Sequence, residues 1–456
     1  MRFKDSGIEW LGEIPEHWEV RKLKYLAQFY TGNSIKDSEK SQYEVWEENS
    51  IPYIATKDIE IDSCVVDYEN GMYIKKNNLN FLKAPKSSVL LCVEGGSAGK
   101  KLAFLNQEVC FVNKLCCINA DKISINKKML FYILQSNFFG NLFFSSIKGL
   151  IGGITSKELA EFKIPLPPLE EQKAIAEFLD KKCNKISQFI ESKQKLITLL
   201  QEKKQALINE CVTKGLNCYT KHNVESRPLR GAQKEKDSRQ YKNSGVEYLG
   251  TIPKHWEVRR LASFGKFSKG GNIGRNDLLD EGISTLIYGD IYTKYEIKTH
   301  TLHSKVSQET AKNATPIYKG DILFSGSGET KEDIGKNIVY LGDEKAFAGG
   351  DVIIFRQNQN DALFLSYALN TQGVRFCKLI ESKGEIIVHI YASNLRDIKI
   401  PLPPLQEQKA IASYLDTQIT KIDLAIEKTK QQITYIKEYK TSLINQVICG
   451  RIQQKD

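Results

Sequence analysis

The chain has 456 residues, 65 of them Lys or Arg and 55 Asp or Glu, for a net charge of +10. That mildly basic balance is compatible with a polyanion partner, and the 41% apolar fraction supports cores of ordinary size in more than one domain. No run of eighteen apolar residues offers a membrane span, and MRFKDSGIEW has no apolar signal core, so the expected location is the cytoplasm.

Residues 6–23, SGIEWLGEIPEHWEVRKL, return at 244–261 as SGVEYLGTIPKHWEVRRL, thirteen of eighteen identical. Trp10, Trp18, Tyr248 and Trp256 read as anchors that pin this irregular arm onto a domain. His17 and His255 read as packed or capping imidazoles, because no Ser, Cys or carboxylate constellation recurs with them.

Residues from about 20 to 162 form a first insert. Its apolar runs at 51–55, 88–93, 102–105 and 114–118 predict strands, and 127–144 predicts one helix. Adjacent Cys116 and Cys117 fall in a strand and point to opposite faces. Ten cysteines with no CxxC pair read as reduced, packed thiols, and no zinc site is expected. The second insert, 258–398, repeats the order, with strands at 285–288, 321–324, 337–341 and 352–355 and a helix at 362–379.

Short islands align the inserts. Residues 86–92 (KSSVLLC) match 319–325 (KGDILFS), and 98–105 (AGKKLAFL) match 334–341 (IGKNIVYL). The loop between them is VEGGS in one half and the longer GSGETKED in the other. Residues 146–154 and 381–390 form a second variable place, and ATKDI (55–59) with YGDI (288–291) a third. These places are where each insert is expected to address its own target.

Residues 163–180, KIPLPPLEEQKAIAEFLD, return at 399–416 with fifteen of eighteen identical. The prolines enforce an extended entry, and Glu170, Glu171 and Glu407 then suit a helix N-terminus. The helices that follow, to about 213 and 449, carry heptad seams. The first seam runs through Leu179, Ile186, Ile190, Ile197, Leu200 and Leu207. The second runs through Leu415, Ile422, Ile426, Ile433, Ile436 and Leu443. Lys204 and Lys440 hold equivalent seam positions, with stems packed and ammonium groups reaching water. At ~1.5 Å per residue each helix is a rod of ~65 Å. Antiparallel pairing would set the inserts at opposite ends. Residues 215–243, polar and basic, read as a mobile linker.

The expected fold is α+β: two mixed α/β domains separated by a long antiparallel two-helix coiled coil, with a pseudo-twofold internal repeat. The expected boundaries are 1–162 for arm and first domain, 163–214 for the first helix, 215–243 for the linker, 244–398 for arm and second domain, and 399–456 for the second helix.

Catalytic motifs fail. GGSAGKK has Glu94 where a phosphate-binding loop needs Gly, and no Ser or Thr follows Lys100. The Pro-Pro pairs lack the Asn or Asp of a methyltransferase site, and Glu202 with Lys204 lies inside a helix. The chain reads as having no active site and no metal of its own.

The doubled SG-I/V-E-W/Y-LG-x-IP-x-HWEVR arm, the doubled IPLPPL-E/Q-EQKAIA-x-F/Y-LD helix start and the GDILFSGSG island together resemble the specificity subunit of type I restriction–modification systems. The resemblance spans nearly the whole chain. It implies a non-catalytic subunit that binds double-stranded DNA at a bipartite site, one half-site per insert. It further implies that the helices set the gap and dock two methyltransferase subunits, and that restriction subunits join this core. S-adenosylmethionine, ATP and Mg would belong to those partners, with no cofactor on this chain. Two unlike inserts predict an asymmetric target. The runner-up is a two-domain protein-binding scaffold with only nonspecific polyanion affinity.

Within that resemblance Lys100, Lys101, Lys331 and Lys336, with the amides of Gly95, Gly96, Gly326 and Gly328, suit phosphate contacts. Ser97, Ser325, Ser327, Glu329 and Thr330 suit base edges. Lys57, Lys148, Tyr288, Lys383 and His389 complete the expected DNA-binding set from the other two variable places.

Overall fold

A computed structural model describes residues 2–8, 10–121, 123–147, 152–216, 240–328, 334–384 and 388–452. Most of the expected linker lies outside the described residues. The chain divides into two compact units, one of residues 1–195 with 429–456, the other of residues 196–428.

In the first unit, strand Phe3–Asp5 pairs with Glu13–Pro15, and Glu19–Lys22 pairs antiparallel with Lys163–Leu166. Pro165 therefore sits in a two-stranded ribbon, where a missing N–H costs little, and Pro167 and Pro168 follow it into the helix start. Two four-stranded sheets follow. One orders Tyr73–Lys75, Ser50–Ile54, Val109–Phe111 and Lys83–Ala84; the other orders Ala27–Thr31, Leu115–Ala120, Val89–Cys92 and Leu102–Phe104. Cys116 joins the core under the helices and Cys117 joins the core on the other sheet face, so this sheet is buried on both sides.

The helix expected over 127–144 is two helices, Lys127–Gln135 and Asn137–Ser145. Ser136 is extended between them and its hydroxyl accepts from the Phe139 N–H. A hydroxyl that caps a new helix competes with continuing the old one. The second unit breaks its helix at the same place, into Ala362–Leu369 and Gln372–Ile380.

The second unit has two five-stranded sheets. One orders Lys266–Lys269, Val352–Arg356, Ile322–Ser325, Asn337–Tyr340 and Lys298–Thr299. The other orders Leu278–Leu279, Ser304–Val306, Ile283–Leu286, Ala346–Ala348 and Thr315–Ile317. The strand expected at 285–288 ends at Leu286; Tyr288 instead opens the short helix Tyr288–Thr293. Asp290 is buried and accepts from the Ile287 N–H, which turns the chain into that helix.

The long helices run Leu169–Lys214 and Leu405–Ile448. In each unit an early stretch of one helix meets a late stretch of the other, so the pairing is antiparallel. In the first unit Leu179, Cys183 and Ile186 share a core with Leu443, Ile444 and Val447. In the second, Leu207 and Cys211 share one with Leu415, Ile419, Ile422 and Ile426. The middle of the seam is looser: Ile190, Ile197, Leu200, Ile433 and Ile436 are half-buried. Lys204 corrects an expectation. Its ammonium is held between Glu296 and Asp423, 2.7 Å from the latter, rather than by water.

Each long helix is locked to its domain by the same parts. Glu171 accepts from Trp18 Nε1 at 3.1 Å and meets His17 Nε2 at 2.9 Å. Glu407 does the same with Trp256 at 3.2 Å and His255 at 2.9 Å. Buried Gln172 donates to Pro167 O and accepts from the Asn126 N–H; buried Gln408 donates to Pro403 O and accepts from the Asp361 N–H. The two histidines are structural ties. Trp18 and Trp256 are fully buried anchors, but Trp10 is 47% exposed and anchors nothing in the core.

Candidate nucleic-acid interface

The three variable places, far apart in sequence, meet in each unit. In the first, Val89–Cys92 and Leu102–Phe104 form an antiparallel hairpin whose connection is residues 93–101. Gly95 N–H donates to Gly152 O at 2.9 Å, Ile154 N–H to Val93 O at 3.0 Å, and Glu94 bridges Gly153. Lys101 Nζ donates to Thr56 O at 2.6 Å, which ties in the third place. Lys57, Gly96 and Lys100 are exposed there and Ser97 is half-buried.

In the second unit the hairpin is Ile322–Ser325 with Asn337–Tyr340. Ser327–Gly328 pairs with Val388–His389, and Ile390 N–H donates to Gly326 O at 3.0 Å. Ser327 Oγ and His389 Nδ1 share a hydrogen bond of 2.9 Å. Tyr292 OH donates to Ser327 O at 2.7 Å, and Lys336 Nζ to Tyr292 O at 3.1 Å. Lys383 is exposed and exchanges backbone bonds with half-buried His389.

Several expected contact residues turn out to be scaffold. Ser325 is fully buried and its hydroxyl donates to Ser327 O; Ser327 is buried too, so neither reaches a base edge. The amides of Gly95 and Gly326 are spent on Gly152 O and Asp351 O, and Gly328 is buried in the short ladder to Val388. The Lys101 and Lys336 ammonium groups bind backbone carbonyls and hold loops together. Tyr288 is half-buried against the inter-sheet core. Lys148, Glu329, Thr330 and Lys331 lie outside the described residues.

Other residues carry more than sequence reasoning assigned. Lys378 is fully buried beneath the second loop. Its Nζ donates to Gly335 O at 2.6 Å, Leu369 O at 2.9 Å and Asn337 Oδ1 at 3.2 Å. Burial pushes its pKa well below the usual lysine value. Tyr292 joins two of the three places, and Tyr391, 55% exposed, follows His389. An aromatic next to a variable island was the one available sequence signal for them.

The assembled surface offers exposed ammonium groups, a few side-chain donors and an imidazole. The imidazole, His389, is bonded to the buried Ser327 hydroxyl, and among the described residues no group of three or more His, Cys, Asp or Glu could hold a metal ion. No helix among the described residues is long and apolar enough to cross a membrane.

Comparison with known proteins agrees with this organisation. The sequence model of the family described as "Type I restriction modification DNA specificity domain" matches twice, at residues 15–201 and 253–435. The type I restriction enzyme MjaVIII specificity subunit of Methanocaldococcus jannaschii is 26% identical, aligned over 97% of this chain and 95% of its own length. The putative MjaX specificity subunit of the same organism is also 26% identical, over 99% and 97%. A chain from a solved structure on complex assembly and conformational transition of the type I R-M system superposes with a TM-score of 0.65. At 17% identity, covering 96% of this chain and 99% of that one, it shares the fold. The doubled family match over two α/β units, each closed by the same Trp–Glu and Gln locks, places this chain in the type I restriction–modification DNA specificity family.

Proposed function

We propose that each unit reads one half of an asymmetric, split DNA site through its three converging loops, and that the chain itself performs no chemistry. The convergence carries the reading: residues 93–101, 152–154 and 55–58 meet in the first unit, and 326–328, 388–390 and 288–293 in the second, although these are the stretches where the two halves differ. A shared frame with unlike contact surfaces suits two unlike half-sites.

Lys57, Lys100 and Lys383, with Lys148 and Lys331, take phosphate contacts, as does the Gly96 amide. Ser97, His389, Glu329 and Thr330 face base edges. Ser325, Ser327, Lys101 and Lys336 shape the loops from beneath. The paired helices set the unread gap and dock two methyltransferase subunits, to which restriction subunits add. S-adenosylmethionine, ATP and Mg act on those partners, in the cytoplasm.

The test is methylome sequencing of a host carrying the operon with and without this gene. A split adenine-methylated motif that depends on the gene supports the reading. Unchanged methylation, with duplex binding blind to sequence at fixed salt, would leave only polyanion affinity.

A further inference from the structure

The internal repeat places Lys204 and Lys440 at equivalent seam positions, and the structure treats them differently. Lys204 is clamped by Asp423 from the neighbouring helix and by Glu296 from the domain. The residue corresponding to Asp423 in the first half is Ser187, at the constant offset of 236. In the domain segment beside Lys440, Cys64 stands at the position of Glu296, with Glu60 and Asp62 nearby in the same segment. Lys440 forms no ion pair among the described residues, and its charge acts on the thiols of Cys64 and Cys183.

A cavity of about 590 Å³ lies here, within the first unit, with Cys64, Lys100, Asn141, Ser187 and Lys440 in its wall. Three carboxylates also line it, and among the described residues none pairs with Lys440. Glu60 accepts from Ser63 Oγ, Asp62 pairs with Lys437, and Glu191 pairs with Lys195 at 2.7 Å. A half-buried ammonium that makes no ion pair with these carboxylates, flanked by hydroxyl and amide groups, is suited to a small oxyanion.

We propose that the first-unit cavity binds a small oxyanion, carboxylate or phosphate, against Lys440 and Ser187, supplying the charge that Asp423 and Glu296 supply in the second unit. The ligand bridges the domain segment 60–64 to both helices and stiffens that joint. This is independent of which bases the chain reads.

Hydrogen exchange of the full chain, at constant ionic strength with chloride replaced by phosphate or acetate, tests it. The expected result is slowing of about tenfold at residues 60–64 and 183–190 in 100 mM of the bound anion. The second-unit segments 294–298 and 419–426 stay unchanged. Ser187→Asp builds the missing carboxylate in, so it should exchange slowly without added anion and respond no further. Lys440→Met should abolish the response. Equal slowing in Lys440→Met, or in the second-unit segments, means an adventitious ion only and overturns the proposal. So does a Ser187→Asp chain that keeps the wild-type response. Acetate and phosphate arms distinguish the two sources.

Discussion

Beneath the variable hairpin the two units differ at one buried position. Seven residues after the helix break, the first unit has Phe143 and the second Lys378, both fully buried. Each lies under an equivalent left-handed glycine, Gly99 at φ +72° and Gly335 at φ +68°. Phe143 fills the space with a ring. Lys378 fills it with a stem and spends its ammonium on Gly335 O, Leu369 O and Asn337 Oδ1. The second loop is three residues longer. The frame is thus the same while the loop is rooted by packing in one unit and by hydrogen bonds in the other.

The largest effect should come from breaking that root. Lys378→Met leaves three buried acceptors without a donor, at ~1–3 kcal/mol each. Urea unfolding should show the second unit losing several kcal/mol, with the first untouched. Phe143→Lys is the converse, burying an ammonium without acceptors, and should be as damaging to the first unit. If Lys378→Met costs under ~1 kcal/mol, the contrast between the two roots is wrong.

Next come the glycines. Alanine at either position meets left-handed strain of ~1–2 kcal/mol. Gly99→Ala should cost more in melting temperature, because its Cβ would meet a Phe143 ring carbon at 2.6 Å. The Gly335→Ala Cβ would meet the flexible Lys378 stem at 2.9 Å.

The helix locks sharpen the comparison from the other side, because here the units agree. Glu171→Gln and Glu407→Gln should each cost about 1 kcal/mol, equally, by weakening the bonds to Trp and His and the favourable charge at a helix start. Unequal losses would mean the frame is not shared.

The smallest effect is electrostatic and confined to the first unit. Lys22 and Lys24 hold the Glu161 carboxyl down to about 2, against an ordinary 4.5. A depressed carboxyl stabilises above its unfolded value and loses that contribution as pH falls from about 4.5 toward 2. Glu161→Gln should therefore be slightly less stable than wild type near neutrality. The gap should close by about pH 2 and in high salt, since the pair is exposed.

Much of this was legible in the residues. Heptads survive as buried or half-buried seam positions because a rod must bury its stripe whatever it carries. Strand runs at 88–93 and 337–341 survive because buried strands need continuous apolar residues. The helix breaks were hidden, since neither Ser136, which caps the next helix, nor Thr371, whose hydroxyl donates back to Ala368 O, is a Pro or Gly. GSG at 326–328 looked like an exposed loop, but pairing with Val388–His389 buries it, and no local pattern announces a partner sixty residues away. Lys378 read as a surface charge because its three acceptors are assembled only by the fold.

The most direct test of the central claim is to replace residues 93–101 with a corresponding loop from a relative of different specificity and sequence the methylome of the host. One half of the split motif should change while the other half and the gap length stay as they were. Both halves changing together, or methylation fading uniformly with the motif intact, would contradict it.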